Sequence, residues 1–387
     1  MSAGSLTVRT ISAEAHARWL RSRPSVSFLQ LPSWADVKVG WRAESVGWFD
    51  GDRIVGVALI LHRPVPKVKR RSLAYIPEGP VVDWRSERWS IDDWLTPLLE
   101  HCKAVGAFQV KMGPPVASRR WESATVKQAL ADAESGAWNS PEQLGNVTAD
   151  WHSTTASTLV DSLRAGGWTR QESSGAGFGD VQPRYVYCVP LADRSLDDVF
   201  AGFNQLWRRN VRKAEKSGVQ VRLSGRENLA DFHRVYVETA ERDHFTPRGQ
   251  VYFERMWDAL NSAADGYHEM TLHLAEYEGH LAAATIMIRV GDRAWYSYGA
   301  STTADRDVRP SNALQWHMIT RAHETGCRVY DLRGISDTLD PDNHLIGLVR
   351  FKVGSGGFAQ EYVGEWDYPL RAVWARAFAA YQRRGLS

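Results

Sequence analysis

"FDGDRIVGVALILHR" (residues 49–63) and "AEYEGHLAAATIMIR" (275–289) are two copies of one pattern, and that repetition decides the fold. Each reads as a β-hairpin: a short strand, a Gly-containing turn, then an apolar strand rich in β-formers. Moving outward, "RSLAYIPEGPVVD" (71–83) matches "DRAWYSYGASTTA" (292–304), and "HCKAVGAFQVKMGPP" (101–115) matches "AHETGCRVYDLRGIS" (322–336). The order is the same in both halves: hairpin, third strand, helix, fourth strand. One similarity of this kind would carry little weight. Three in register argue for a duplicated α/β (α+β) module.

Within the second copy, "SNALQWHMITRAHETG" (311–326) predicts the helix that covers the sheet. Ala313, Trp316, Ile319 and Ala322 recur at helical spacing, Ser311 is placed to cap the start, and Gly326 ends it. The strand "CRVYDLRGI" follows and ends at Arg333-Gly334. A single helix is expected through "SLDDVFAGFNQLWRRNVRKAEKSG" (195–218), with Phe200, Phe203, Leu206 and Trp207 as its apolar stripe. Another spans "ENLADFHRVYVETAERDH" (227–244). Residues 117–165 read as helices and loops between strands, and "LRAVWARAFAAYQRR" (370–384) as a last basic amphipathic helix.

The 387 residues suit two domains of ordinary size, with 43% hydrophobic and 24% charged residues. Such a chain buries a core without disulfides or metals. Three dispersed cysteines, Cys102, Cys188 and Cys327, fit reduced thiols, and no Cys/His grouping has zinc spacing. No run reaches the length of a transmembrane helix. The first 20 residues lack a long apolar stretch, so no signal peptide is expected. A net charge of +2 excludes an overall basic field, yet "RPVPKVKRR" (63–71) and "WRRNVRKAEK" (207–216) concentrate Lys and Arg. They read either as solvated faces or as contacts for a polyanion.

Six motifs in order carry a resemblance: "LQLPSWADVK" (29–38), "LAYIPEGPVVD" (73–83), "AERDHFTPRGQVYFERM" (240–256), "AWYSYGAS" (294–301), "YDLRGI" (330–335) and "RFKVGSGGFAQEYVGEWD" (350–367). The chain resembles the Fem (FemABX) peptidyltransferases, which extend peptidoglycan precursors using aminoacyl-tRNA. The resemblance spans nearly the whole chain. It implies two tandem GNAT-like acyltransferase modules, 1–185 and 186–365, with a C-terminal helix (366–387) returning to complete the first. The long helical hairpin of some members is absent, because "NQLWRRNVRKAEKSG" runs straight into "VQVRLSG". This is the compact type.

The resemblance also assigns roles. Lys38 is placed on an amphipathic helix of the first module and contacts the acceptor's diphosphate. Arg248 and Tyr252, four apart, share a helix face toward the acceptor, an Arg gripping phosphate oxygens and a Tyr donating beside it. Tyr298 is a further substrate contact; strand alternation puts it on one face with Tyr296 and opposite to Trp295. Phe351 and Lys352 stand where the acceptor meets the tRNA end. Lys352 would stabilise the oxyanion formed when an amine attacks the aminoacyl ester, or hold a tRNA phosphate. Arg208, Arg209 and Arg212 are candidates for tRNA contact. Where some relatives carry Tyr and Asp near the acceptor, this chain has Phe108 and Gly113, so no carboxylate base is expected there. Asp331 and Asp243 read as structural.

No metal and no cofactor are expected. In GNAT enzymes a Gly-rich loop holds the pyrophosphate of coenzyme A, whereas "RPSNALQW" (309–316) opens the helix here with Pro310, Ser311, Asn312 and Ala313. The acyl donor implied is aminoacyl-tRNA, the acceptor a precursor such as lipid II or UDP-MurNAc-pentapeptide. The expected setting is a cytoplasmic monomer with peripheral contact at the inner membrane face. An amine of a peptide natural product is an alternative acceptor, and a non-catalytic precursor-binding pair of modules an alternative role.

Overall fold

A computed structural model describes residues 5–65, 68–136, 140–170, 181–262 and 265–384. Pro66 and Lys67 of the first basic stretch lie outside them. The chain divides into two units: residues 1–119, 152–184 and 361–387, and residues 120–151 and 185–360. Each has its own core.

The first unit is built on a seven-stranded sheet. Its order is Thr7–Thr10, Arg42–Asp50, Arg53–Val65, Val68–Ile76, Ala107–Met112, Trp366–Pro369, Thr169–Arg170. The pair Val68–Ile76 and Ala107–Met112 is parallel, as a crossover helix requires. That helix, Ile91–Ala104, begins in a capping box made by Ser90 and Asp93. Its buried Trp94 accepts at its carbonyl from the Trp48 indole, 2.7 Å away. Several of the chain's tryptophans are core: Trp48, Trp94 and Trp366 are fully buried in this unit. The C-terminal helix Ala372–Arg384 sets Phe378 against Phe108, ring centroids 5.2 Å apart, and Leu73.

The second unit carries a nine-stranded sheet. Its order is Gln220–Ser224, His268–Tyr277, His280–Val290, Arg293–Ser301, Val329–Gly334, Tyr185–Pro190, Phe358–Tyr362, Ala117–Glu122, Trp151–His152. The hairpin 268–290 turns on Glu278 and Gly279, both at positive φ (49° and 81°), as a tight hairpin of matching twist demands. The strands Arg293–Ser301 and Val329–Gly334 are parallel and bracket the helix Pro310–Glu324.

Several local expectations differ from the structure. Residues 120–151, expected in the first module, belong to the second unit. Trp121 is buried there 6.2 Å from Tyr185, and Val126, Ala129 and Leu130 of the helix Ser123–Glu134 join the same core. The single helix expected over 195–218 is two, Leu196–Gly202 and Gln205–Lys216. The chain turns extended at Phe203, and the Asn204 side chain caps the second by accepting from the Trp207 N–H (2.8 Å). The helix 310–324 starts with Pro310 at its first position after Arg309 in the left-handed region, so Ser311 is not its cap.

Candidate active site

In the first unit, Lys38 ends a single helical turn, Trp34–Val37, rather than lying on a longer amphipathic helix. Its ammonium stands 5.8 Å from the Trp34 ring centroid. Phe108 is core, and neither it nor Gly113 supplies an acid. The sequence reading missed Glu365, whose Cγ lies 2.9 Å from where a Gly113 Cβ would sit. Its two oxygens accept from the Tyr75 hydroxyl (2.6 Å) and the Val181 N–H (2.7 Å). This carboxylate is buried and held at both oxygens, which suits a structural role.

In the second unit, Arg248, Tyr252 and Tyr298 come together. The helix Gln250–Leu260 begins after Gly249, so Arg248 precedes it instead of sharing its face with Tyr252. The two still meet, the exposed guanidinium lying 5.2 Å from the Tyr252 ring centroid. The Tyr298 hydroxyl donates to that of Tyr252 at 3.4 Å. Burial and the adjacent Tyr298 push the Tyr252 phenol up, so it stays a proton donor at neutral pH. Phe253 and Tyr236 support Tyr298 edge-on, at 5.0 and 6.0 Å. A cation and two phenol groups on one aromatic bed form a surface suited to an anionic, polar ligand.

Tyr296 and Tyr298 do not share a face. A bulge pairs Tyr298 with Ile286 and Tyr296 with the next residue, Met287, so the two side chains point to opposite sides of the sheet. Tyr296 turns into the core, where its hydroxyl lies 2.0 Å from the site a Gly299 Cβ would fill. Only glycine at 299 leaves that space. The bulge was not legible in "WYSYGAS", although its glycine was a signal.

Tyr296 leads to Lys352. The helix Ile346–Val353 carries Lys352 inward, 4% exposed, with its ammonium 6.0 Å from the Tyr296 ring centroid. Its Nζ donates to the Gly334 carbonyl at 2.6 Å. Parallel pairing of the two central strands covers only Arg293–Trp295 against Val329–Asp331, so Lys352, Tyr296 and Gly334 gather where pairing has ended. Burial pushes the Lys352 ammonium down to about 7, against the pull of Asp331. Asp331, 1% exposed, accepts from Arg293 (2.6 Å) and from the Arg333 N–H (2.6 Å). The neighbouring Phe351 packs on Trp207 at 4.9 Å, and its carbonyl accepts from the Trp207 indole (2.7 Å). Phe351 is therefore part of the wall that fixes the Lys352 helix.

The helix Gln205–Lys216 buries Trp207, Val211 and Ala214. Arg208, Arg209, Arg212, Lys213 and Lys216 line an open groove of about 580 Å³ on its other side. Arg208 is engaged: it donates to the carbonyls of Ala201 (2.7 Å) and Phe203 (2.6 Å), closing the end of the preceding helix. Arg209 and Arg212 are exposed. At the start of the helix 310–324, Pro310 has no N–H, and the amides of Asn312 and Ala313 both donate to the Arg309 carbonyl (3.1 and 3.3 Å). That leaves no cradle of open amides for a pyrophosphate. Among the described residues no group of His, Cys, Asp and Glu could hold a metal ion, and no helix is long and apolar enough to cross a membrane.

The FemAB family model matches residues 11–282 and 261–383. This chain belongs to the FemAB family. A lipid II:glycine glycyltransferase of Staphylococcus saprophyticus is 26% identical over 422 residues, covering 94% of this chain and 92% of the relative. Its Staphylococcus aureus counterpart is 25% identical over 425 residues, covering 93% and 92%. The crystal structure of FemX superposes with a TM-score of 0.76 at 25% identity, covering 96% of this chain and 99% of FemX. A tandem GNAT protein from the clavulanic acid biosynthesis pathway aligns at a TM-score of 0.50 and 12% identity over 94% and 98% of the chains, a likeness of fold. The FemAB chain is thus a mixed α/β protein of two tandem GNAT-like modules. Its helix Gln205–Lys216 passes through Gly218 directly into the strand Gln220–Ser224.

Proposed function

We propose that this FemAB protein is an aminoacyltransferase that moves an amino acid from aminoacyl-tRNA to the side-chain amine of the stem peptide of a peptidoglycan precursor. The observation that carries the reading is Lys352, a buried amine held on the Gly334 carbonyl at the point where the central parallel strands separate. The attacking amine forms a C–N bond to the ester carbonyl carbon. The carbonyl oxygen becomes an oxyanion, and the charged Lys352 donates to it. Collapse of this intermediate breaks the C–O bond to the ribose, whose oxygen takes a proton. The amine's surplus proton leaves through water or the acceptor's carboxylates. An aminoacyl ester is already activated, and holding it against an amine contributes roughly 7–11 kcal/mol. One well-placed oxyanion donor adds about 2.7–4 kcal/mol.

Arg248, Tyr252 and Tyr298 serve the acceptor; in the first unit, Lys38 offers a point charge suited to a diphosphate. Arg209 and Arg212 meet the donor's phosphates, and Phe351 supports Lys352. The relatives named for lipid II favour a lipid-linked acceptor at the cytosolic membrane face. The occupied amides at the start of the helix 310–324 favour a tRNA ester over a coenzyme A thioester.

The test is incubation with charged total tRNA and either lipid II or lysine-containing UDP-MurNAc-pentapeptide, read by mass spectrometry. The expected product is one acceptor increased by an aminoacyl mass, only with charged tRNA. Acetylation from acetyl-coenzyme A with no aminoacyl product would overturn the reading.

A further inference from the structure

Asp331 has no task in the transfer described above, yet it is buried three residues before the Gly334 carbonyl that holds Lys352. We propose that Asp331 is a positioning residue for Lys352: its carboxylate builds the turn that presents the Gly334 carbonyl and supplies the counter-charge for the Lys352 ammonium. The proposal rests on Lys352 being the oxyanion donor.

The geometry comes from both carboxylate oxygens. Oδ1 accepts from the Arg333 N–H two residues on, at 2.6 Å, closing an Asx-type turn. Arg333 takes φ 62°, a conformation that a non-glycine residue adopts only when something holds it. The ladder with the strand Tyr185–Pro190 is broken between Asp331 and Gly334, where the turn sits. The Gly334 carbonyl beyond it accepts from Lys352. Oδ2 takes Arg293 at 2.6 Å, so the rotamer is fixed from two sides.

The charges around Lys352 come from three strands. From its own strand Asp331 favours the ammonium and Arg333 opposes it. The strand Arg293–Ser301 contributes Arg293, paired to Asp331, and Tyr296, whose phenol burial pushes up to about 12. From the strand Tyr185–Pro190 comes Cys188, whose thiol burial pushes up. Tyr330 is pushed up likewise. The phenols and the thiol are neutral at pH 7, so Asp331 is the one anion among these groups; Arg333 opposes its action on Lys352, and Arg293 partly neutralises it by pairing. On the Lys352 helix itself, Arg350 is paired with Glu134 (2.6 Å).

These charges give a test with two opposite signs. Asp331→Asn keeps an oxygen for the Arg333 N–H but removes the charge. Arg293→Gln removes the cation paired with Asp331 and leaves its charge less neutralised, with Arg333 still opposing it. Single-turnover transfer at saturating substrates is measured from about pH 6 to about pH 9, and the Lys352 amine is titrated by NMR without substrate, assigned by a Lys352→Arg spectrum. Transfer in each variant is read relative to the natural protein at the same pH, because the acceptor's amine titrates as well; the Lys352 midpoint of the natural protein lies near 7. In Asp331→Asn the midpoint moves down by about one pH unit, with transfer about fivefold slower at pH 7 and recovering at acid pH. In Arg293→Gln both midpoints move up, and Asp331→Glu keeps the natural midpoint. An unmoved amine midpoint in folded Asp331→Asn would overturn the proposal, whatever the protein transfers. An amine that moves while the transfer profile does not would uphold the coupling and remove Lys352 from the chemistry. If Asp331→Asn does not fold, Arg293→Gln decides alone: a midpoint that stays or falls overturns the proposal.

Discussion

The two modules repeat one frame, and they differ where the central parallel strands meet. In the first, pairing runs over five positions from Ser72↔Ala107 to Ile76↔Met112, with one register shift after Ser72. The polar groups at its far end are satisfied: the Tyr75 hydroxyl donates to Glu365 at 2.6 Å, and Lys111 pairs with Asp367 at 2.8 Å. In the second, pairing stops after three positions, at Trp295↔Asp331. A bulge turns Tyr296 inward, the Asp331–Arg333 turn interrupts the next ladder, and a lysine enters the gap. A closed seam makes a scaffold, whereas an open seam gives a buried charge a place to act. Duplication supplied the frame twice, and the length of the central parallel pairing separates the two copies.

The sharpest way to break this contrast is to remove the charge from the open seam. Lys352→Met is expected to lower kcat by about 10²–10³. It is also expected to stabilise the fold. The folded-state pKa of Lys352 is lowered, so its charge opposes folding; the penalty is full below about pH 7, declines as pH rises, and is gone above the unfolded value. The shift from 10.5 to about 7 corresponds to on the order of 5 kcal/mol, less whatever the lost bond to Gly334 contributed. Thermal unfolding at pH 6 and pH 10 reads this: the gain from Lys352→Met should be larger at pH 6. A variant less stable at both would contradict a strained, functional lysine.

The seam is also tested through its glycine. Gly299→Ala places a methyl where the Tyr296 hydroxyl lies, so Tyr296 must move. We expect a stability loss of about 1–3 kcal/mol and roughly tenfold slower transfer, measured by denaturant unfolding and single-turnover kinetics. An unchanged rate would show that Tyr296 does not shape the Lys352 pocket.

Smaller effects are expected away from the seam. Arg248→Ala should raise the acceptor KM about tenfold with kcat nearly kept, because a phosphate grip acts equally on ground and transition states. A kcat loss at saturating acceptor would move Arg248 into the chemistry. Arg209→Gln with Arg212→Gln should raise the donor KM a few-fold and flatten its salt dependence by roughly one unit of slope per lost phosphate contact. Arg208 is kept in that variant, since its bonds to Ala201 and Phe203 hold the fold.

What was legible in the sequence follows from what periodicity records. Hairpins, crossover helices and the strand of "YDLRGI" were legible because each buries a repeating apolar face, and the repeat fixed their order. Most of the misreadings fall where one residue overrides a period. Asn204 captures the Trp207 amide and splits a helix whose apolar stripe runs on through the break. Gly249 caps the helix that the Arg248–Tyr252 spacing started earlier, and Pro310 takes the first position that Ser311 would have capped. The bulge at Ser297, opposite Ile286 and Met287, reverses Tyr296 against the alternation, a two-strand property that one strand's sequence does not carry. Residues 120–151 were misassigned because their apolar face says that they are buried, not in which core.

The most direct measurement is the single-turnover rate of Lys352→Ala and Lys352→Arg with a full-length charged tRNA and with a short aminoacylated CCA-end analogue. The open seam as the seat of chemistry requires both variants to be slow at saturating donor, by about 10²–10³ for alanine, with both substrates alike. Arginine should rescue poorly, because its planar fork does not reproduce a compact ammonium. A defect confined to the KM of the full-length tRNA, restored by arginine and absent with the short analogue, would contradict the account and leave Lys352 as a phosphate contact.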